Sequence, residues 1–243
     1  MIEPIILCYF TKQDNQDFYK AYLTLKYQVF VAELDWSSLK DERGEVIARE
    51  DPFDEEGRFS LAITEGGTPI GIVRAIPLQK GFPHRELFEQ HLGHIEFSSM
   101  LDSLCTFNAL AVLPEYRRQK YRASDQGWVG SAGRLLMLGL IRYMEQEGMK
   151  GAIVTTGAIV PARLCHGLGF HIIDSPTITP LRPEPLLNMG MVFGSDAHFR
   201  AQEECGMKPR VSTPLAGDSL RLLRYFESCQ EQVLGSRRLE SLF

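Results

Sequence analysis

The sequence predicts a mixed α/β fold, and three observations carry that expectation. Residues 58–64 (Arg-Phe-Ser-Leu-Ala-Ile-Thr) and 70–76 (Ile-Gly-Ile-Val-Arg-Ala-Ile) are two strand-like runs joined through Gly66-Gly67, a pair suited to the positive φ of a tight hairpin. From 104 to 173, strand-like and helix-like segments alternate as β-α-β-α-β. Segments 14–30 and 218–234 carry apolar residues at helical spacing; in the first, Phe18, Tyr22, Leu25 and Val29 fall on one face. A meander of strands followed by alternating strands and helices implies one mixed sheet with helices packed on it.

In chain order, residues 5–10 (Ile-Ile-Leu-Cys-Tyr-Phe) read as the first strand, and Asp14 or Asn15 caps the helix that follows. Residues 37–49 are polar and read as a loop, closed by Glu50-Asp-Pro-Phe-Asp54 with three carboxylates in five residues. After the hairpin, a short helical piece is expected around Arg85–His91. The central strand is Leu104-Cys-Thr-Phe-Asn-Ala-Leu-Ala-Val-Leu113, and it runs into Pro-Glu-Tyr-Arg-Arg-Gln-Lys120. A glycine-spotted helix is expected from Gly127 to about Glu147, stopped by Gly148. Then come a buried strand at 150–156, a short helix at 160–168 with Pro161 in its first turn, and a strand at 170–173. Beyond Ser175 the chain is proline-rich, with a strand expected at 188–193, helical character at 197–205 and an amphipathic helix at 218–234. The expected organisation is a core over 1–175 and an extension, 176–243, packed on it within the same domain.

Composition narrows the function classes. The apolar fraction is 44% and the formal net charge −5, so the surface as a whole is unsuited to nonspecific nucleic-acid binding. No apolar run approaches the roughly 18–20 residues of a membrane span. The start, Met-Ile-Glu-Pro, has no basic segment of the secretory type, and a cytoplasmic location is expected. Five scattered cysteines (Cys8, Cys105, Cys165, Cys205, Cys229) form no C-x-x-C pair, and His84, His91 and His94 lack the spacing of a zinc helix. No metal is expected.

Against the acidic balance, four cations (Arg117, Arg118, Lys120, Arg122) lie within six residues. A charge run of this kind is either a solvated turn or an anion site. A buried strand before it and a helix N-terminus after it, around Gly130, Ser131 and Gly133, is an order of elements that holds phosphate. Cys165 and His166 adjoin on a helix, about 100° apart, which suits a small buried thiol beside a surface histidine better than a catalytic pair.

From Leu110 to Phe170 the layout resembles the GCN5-related N-acyltransferase superfamily. Leu-Ala-Val-x-Pro-Glu-Tyr-Arg117 is similar to the start of its cofactor motif, and Ala162-Arg-Leu-Cys-His-Gly-Leu-Gly-Phe170 to its later helix-turn-strand signature. The N-terminal third, with Leu25-Lys-Tyr-Gln-Val-Phe30, Trp36, Glu50-Asp-Pro-Phe-Asp54 and Gly71-Ile-Val-Arg74, resembles the acyl-homoserine lactone synthases and the related N-acyl amino acid synthases. The resemblance covers roughly 18–173. Departures are Lys26 for the family's usual arginine, Thr106 and Ala109 where lactone synthases carry Glu and Arg, and Cys165 for a common tyrosine. Lys120 and Arg122 stand where the cofactor loop usually has glycines.

The resemblance implies a sheet whose central strands splay to admit a pantetheine arm. It implies an acyl thioester donor, either acyl-CoA or acyl-phosphopantetheine on an acyl carrier protein, and a small amine acceptor such as an amino acid. The loop residues Arg117, Arg118, Gln119 and Lys120, with Gly130, Ser131 and Gly133, would hold the donor's phosphates. Backbone N–H groups of Leu110, Ala111 and Val112 would serve the oxyanion if the strand bulges there. Glu50, Asp51 and Asp54 would bind the acceptor amine and help remove its proton, with Arg74 paired to one carboxylate. A solvated or purely structural acidic loop is the alternative. Phe30 and Trp36 are either core or the wall of a substrate pocket. Three functions follow: an N-acyltransferase of this kind, a CoA-dependent acetyltransferase for a small amine or protein lysine, or a non-catalytic thioester sensor or interaction module.

Overall fold

The computed structural model describes residues 2–83, 85, 101–157, 160–173, 186–193 and 217–236. The expected helical pieces at 85–91 and 197–205 therefore lie outside the described residues, apart from Arg85. The chain divides into two compact units. Among the described residues, the first holds 2–76 and 107–144, and the second holds 77–83, 85, 101–106, 145–157, 160–173, 186–193 and 217–236.

In the first unit β1 (Glu3–Phe10), β2 (Arg58–Thr64), β3 (Pro69–Pro77), β4 (Leu104–Val112), β5 (Tyr121–Ala123) and β6 (Val129–Gly130) stand in the order β6-β5-β1-β2-β3-β4. β1 pairs antiparallel with β2, which pairs antiparallel with β3 across the Gly66-Gly67 turn. β4 begins in the second unit and continues in the first from Phe107. β5 runs parallel to β1, and β6 pairs with β5. The register sets Phe10 opposite Phe59, and Phe59 opposite Arg74. Directly opposed residues of an antiparallel pair share a face. One row across three strands is thus Phe10, Phe59, Arg74.

Helix α1 (Gln16–Lys26) covers that row. Asn15 caps it, its side chain accepting from the Phe18 N–H at 2.9 Å. Tyr19, Tyr22, Leu23 and Leu25 pack with Phe10, Phe59, Leu61 and Ile72. The helical pattern expected to run on to Phe30 changes at Tyr27 into a seven-residue π-helix, Tyr27–Glu33. Such wide turns recur at functional sites.

Helix α2 (Ala132–Gln146) packs against the other side of β3. A Cβ on Gly71 would lie 2.9 Å from the Leu136 Cδ1 and 3.0 Å from the Ala111 carbonyl oxygen, so glycine admits the close approach. Gly71 and Ile72 alternate, and the two helices accordingly take opposite faces. The helix expected from Gly127 starts only at Ala132. Gly127 adopts φ 69°, which turns the chain, and Trp128 is buried with Arg142 5.2 Å above its ring. Gly130 thereby becomes a strand residue opposite Tyr121.

In the second unit, Leu104–Thr106 lie beside β7 (Gly151–Gly157), and the Lys150 N–H donates to the Ser103 carbonyl at 2.7 Å. β7 pairs antiparallel with β9 (Leu186–Val192), from Gly151 opposite Val192 to Gly157 opposite Leu186. β8 (His171–Ile172) takes the other edge of β9. Helix α3 (Val160–Gly167) is stopped by Gly169 just beyond it, whose φ of 87° lets the Phe170 N–H reach the Cys165 carbonyl. Helix α4 (Asp218–Ser236) packs over β8 and β9, placing Leu222 and Phe226 in a core with Leu104, Ile153 and Val192. Cys165 is buried and its thiol is pushed up to about 12 by burial, as suits a packing residue. No described helix is long and apolar enough to cross a membrane.

Candidate functional site

The acidic corner folds from its own local chemistry. Pro52 biases Asp51 to an extended backbone (φ −101°, ψ 137°) and starts a 3₁₀ turn, Pro52–Glu56. Asp51 Oδ1 accepts from the Phe53 N–H at 2.9 Å, and Asp54 Oδ2 accepts from the Asp51 N–H at 3.0 Å. This reciprocal capping box aims both carboxylates the same way.

They meet Arg74. The sequence suggested one carboxylate for Arg74 and the other for a substrate, whereas both bind this guanidinium. Nη1 pairs with Asp54, Nη2 with Asp51 at 3.1 Å, and Nε donates to Asn108 Oδ1 at 2.6 Å. The Arg74 side chain is 3% exposed and that of Asp54 1%, against 22% for Asp51. Asp54 also accepts from Tyr19 Oη at 2.8 Å and lies 3.5 Å from Tyr22 Oη. Buried charges are tolerated when paired and hydrogen-bonded, and Asp54 meets that condition at both oxygens. Burial, with Asp54 adding, raises both tyrosine pKa values and keeps them neutral donors. Burial pushes the Asp51 carboxyl up, but Arg74, the Phe53 N–H and Lys26 outweigh it, leaving Asp51 below its ordinary value.

Lys26, the last residue of α1, is buried next to this group. Its Nζ donates to the Arg49 carbonyl at 3.4 Å and lies 5.5 Å above the Tyr22 ring. Burial lowers its pKa, opposed by Asp54 and Asp51. A cleft of about 440 Å³ opens here, lined by Lys12, Lys26, Leu39, Arg49, Glu50, Asp51, Pro52 and Glu55. Both signs of charge thus line the cleft. Glu50 and Glu55 are joined by Lys12, at 3.1 Å for Glu50. Asp54, by contrast, is sealed behind Asp51. Phe30 and Trp36 stack at 4.8 Å within the α1 core, with Phe30 9% exposed.

The basic loop divides. Arg117 is already engaged: its Nε donates to the Val112 carbonyl at 2.7 Å and its terminal nitrogens grip both oxygens of Glu33, at the end of the π-helix. That bond holds the Glu33 carboxyl below its ordinary value. Gln119 Nε2 donates to the Glu115 carbonyl at 2.9 Å. Arg118 and Lys120 are exposed, and neither has an ion pair among the described residues. Ser131 precedes α2, its Oγ accepting from the Arg134 N–H at 3.4 Å, and Gly133 sits in the first turn. Ala109 adopts φ 53° inside β4, so the strand is irregular immediately before Leu110, Ala111 and Val112.

Sequence reading missed Tyr19 and Asn108. Tyr19 and Tyr22 stand three apart on α1, which puts two hydroxyls on one face. Asn108 is a carboxamide in the middle of an apolar strand, and that break in pattern was its signal.

No family model and no curated protein matches the sequence. Solved structures do match in fold. A CoA-dependent acyl-homoserine lactone synthase, BjaI, with SAM and isopentyl-CoA, superposes at TM-score 0.62 and 15% identity, covering 89% of this chain and 97% of that one. The acyl-homoserine lactone synthase LasI gives TM-score 0.60 at 13% identity, covering 88% and 99%. FeeM, an N-acyl amino acid synthase from uncultured soil microbes, gives 0.50 at 10% identity, covering 78% and 90%. The chain has the mixed α/β, GCN5-related N-acyltransferase fold of these structures.

Proposed function

We propose that this protein is an N-acyltransferase that moves an acyl group from an acyl thioester, on CoA or on a carrier protein, to the amine of an amino acid or similar small acceptor. The observation that carries the reading is the mixed-charge cleft backed by the Arg74 cluster. Lys26 and Arg49 suit an acceptor carboxylate, and Glu50 and Asp51 suit its ammonium. The fold adds support, because solved neighbours include synthases described as CoA-dependent and one whose structure was solved with SAM and isopentyl-CoA.

In this reading Asp51 and Glu50 bind the amine and accept its first proton, while Asp54 and Arg74 hold Asp51 in place. Arg118, Lys120 and the N-terminus of α2 at Ser131–Gly133 take the donor's phosphates. Arg117 acts differently, fastening the π-helix to the end of β4.

The reading is tested by thiol release from a panel of acyl thioesters with and without amino acids. Amine-dependent release is expected. Asp51→Asn removes charge at nearly constant shape and is expected to lower kcat/KM for the acceptor by roughly tenfold to a thousandfold. Unchanged acceptor kinetics in that variant would remove Asp51 from the site. For the donor, Arg118→Glu with Lys120→Glu is expected to raise its KM about tenfold at low salt, and less at physiological salt because exposed charges are screened. A donor KM that ignores both the substitutions and the salt would refute the phosphate role.

A further inference from the structure

The carboxamide of Asn108 is the one side-chain group of the Arg74 cluster left with an unmet need among the described residues. Each oxygen of Asp51 and Asp54 already accepts at least one hydrogen bond, and Arg74 is bonded at all three nitrogens. Asn108 Nδ2 is buried and has no hydrogen-bond partner among the described residues. Its orientation is fixed chemically. A guanidinium nitrogen only donates, so the oxygen of the carboxamide must face Arg74 Nε, at 2.6 Å, and the NH₂ group must face away from it. A buried donor without an acceptor is costly, and a bound group that brings an acceptor oxygen would satisfy it.

Two further facts indicate which ligand. The cation on the Asn108 oxygen draws electron density through the amide and makes its N–H a stronger donor. Ala109, the next residue, holds φ 53°, a conformation unfavourable for a residue with a Cβ. Strain of this kind collects at functional sites, and here it re-aims the strand just beyond the carboxamide.

We propose that Asn108 is a catalytic residue whose Nδ2–H binds the carbonyl oxygen of the acyl thioester and stabilises the oxyanion that forms on it. The inference rests on the acyl-transfer reading. The neutral amine attacks the carbonyl carbon, a C–N bond forms, and the C=O π pair moves onto the oxygen held by Asn108. The pair then returns, the C–S bond breaks, and the thiolate leaves with its electron pair and takes the second proton from nitrogen. Products are an amide and a free thiol, with no change of oxidation state.

Asn108→Asp keeps the shape and an oxygen for Arg74 but replaces the donor by an acceptor. The expected result is a fall in kcat of about a hundredfold or more, with the thioester KM changed less than about threefold. Asn108→Ala, measured per folded molecule, is expected to lose a similar factor. If kcat stays within about threefold of wild type in either folded variant, the inference is wrong while the acyl-transfer reading stands. If the wild-type protein releases no thiol from any acyl thioester in an amine-dependent way, the reading itself has failed and the inference with it.

Discussion

Replacing Arg74 by methionine is expected to destabilise the protein by about 3–5 kcal/mol, the range for breaking a buried ion pair from one side. The residue is 2% exposed, and its loss strands two carboxylates that share it. Their remaining partners are neutral donors or Lys26, whose Nζ bonds to the Arg49 carbonyl. At roughly 2–4 °C per kcal/mol for a chain of this size, the thermal midpoint should fall by about 6–20 °C. A change under about 2 °C would mean that the cluster hydrates freely and is not the buried unit described.

The same variant has a pH signature with a defined sign. In the wild type Asp51 lies below its ordinary carboxylate value of 3.8. A depressed acid contributes stability above the unfolded pKa, and this is lost as pH falls through the folded one. Wild-type stability from this pair is therefore full at neutral pH and declines below about pH 4. Without Arg74 that contribution is absent, and acid lets the stranded carboxylates take up protons and shed their charge. The gap between variant and wild type is expected to narrow on acidification from pH 7 to 4.5. A gap that widens would contradict the charge argument.

The elements were legible where a short-range pattern forces them. The 58–76 hairpin announces itself by alternation around two glycines, and the helix over β8 and β9 by a periodic apolar face. Legibility ended where long-range packing decides. A buried Trp128 and the pairing of β6 with β5 pull Gly127–Gly130 out of the expected helix. The switch to π geometry at Tyr27 has no local residue code. At the site, carboxylates, arginine and loop cations stood out as residue types, but valence did not. Only the folded chain reveals that Arg117 is occupied by Glu33, that both aspartates converge on Arg74, or that Asn108 is half-satisfied among the described residues.

The packing that holds this polar cluster gives the second large expectation. Phe59 is fully buried at the middle of the row Phe10–Phe59–Arg74. Its ring lies 5.2 Å from that of Phe10, 4.7 Å from Tyr22 and 5.8 Å from Tyr19. The two tyrosines it supports are the ones whose hydroxyls face Asp54. Phe59→Ala removes the ring from between three side chains, Phe10, Tyr19 and Tyr22, that are fixed by strand register and by α1, so collapse into the void is limited. The expected cost is about 3–5 kcal/mol, read from the urea midpoint at unchanged slope. Phe59→Leu refills most of the volume and is expected to recover more than half of that loss. The coupling to the site is the sharper test. Residues in contact do not add, so Phe59→Ala combined with Tyr19→Phe should cost less than the sum of the two, because the cavity already frees the Tyr19 hydroxyl from Asp54. Strict additivity would show that the aromatic row and the carboxylate cluster are independent, and that Phe59 fills space without positioning the charges beside it.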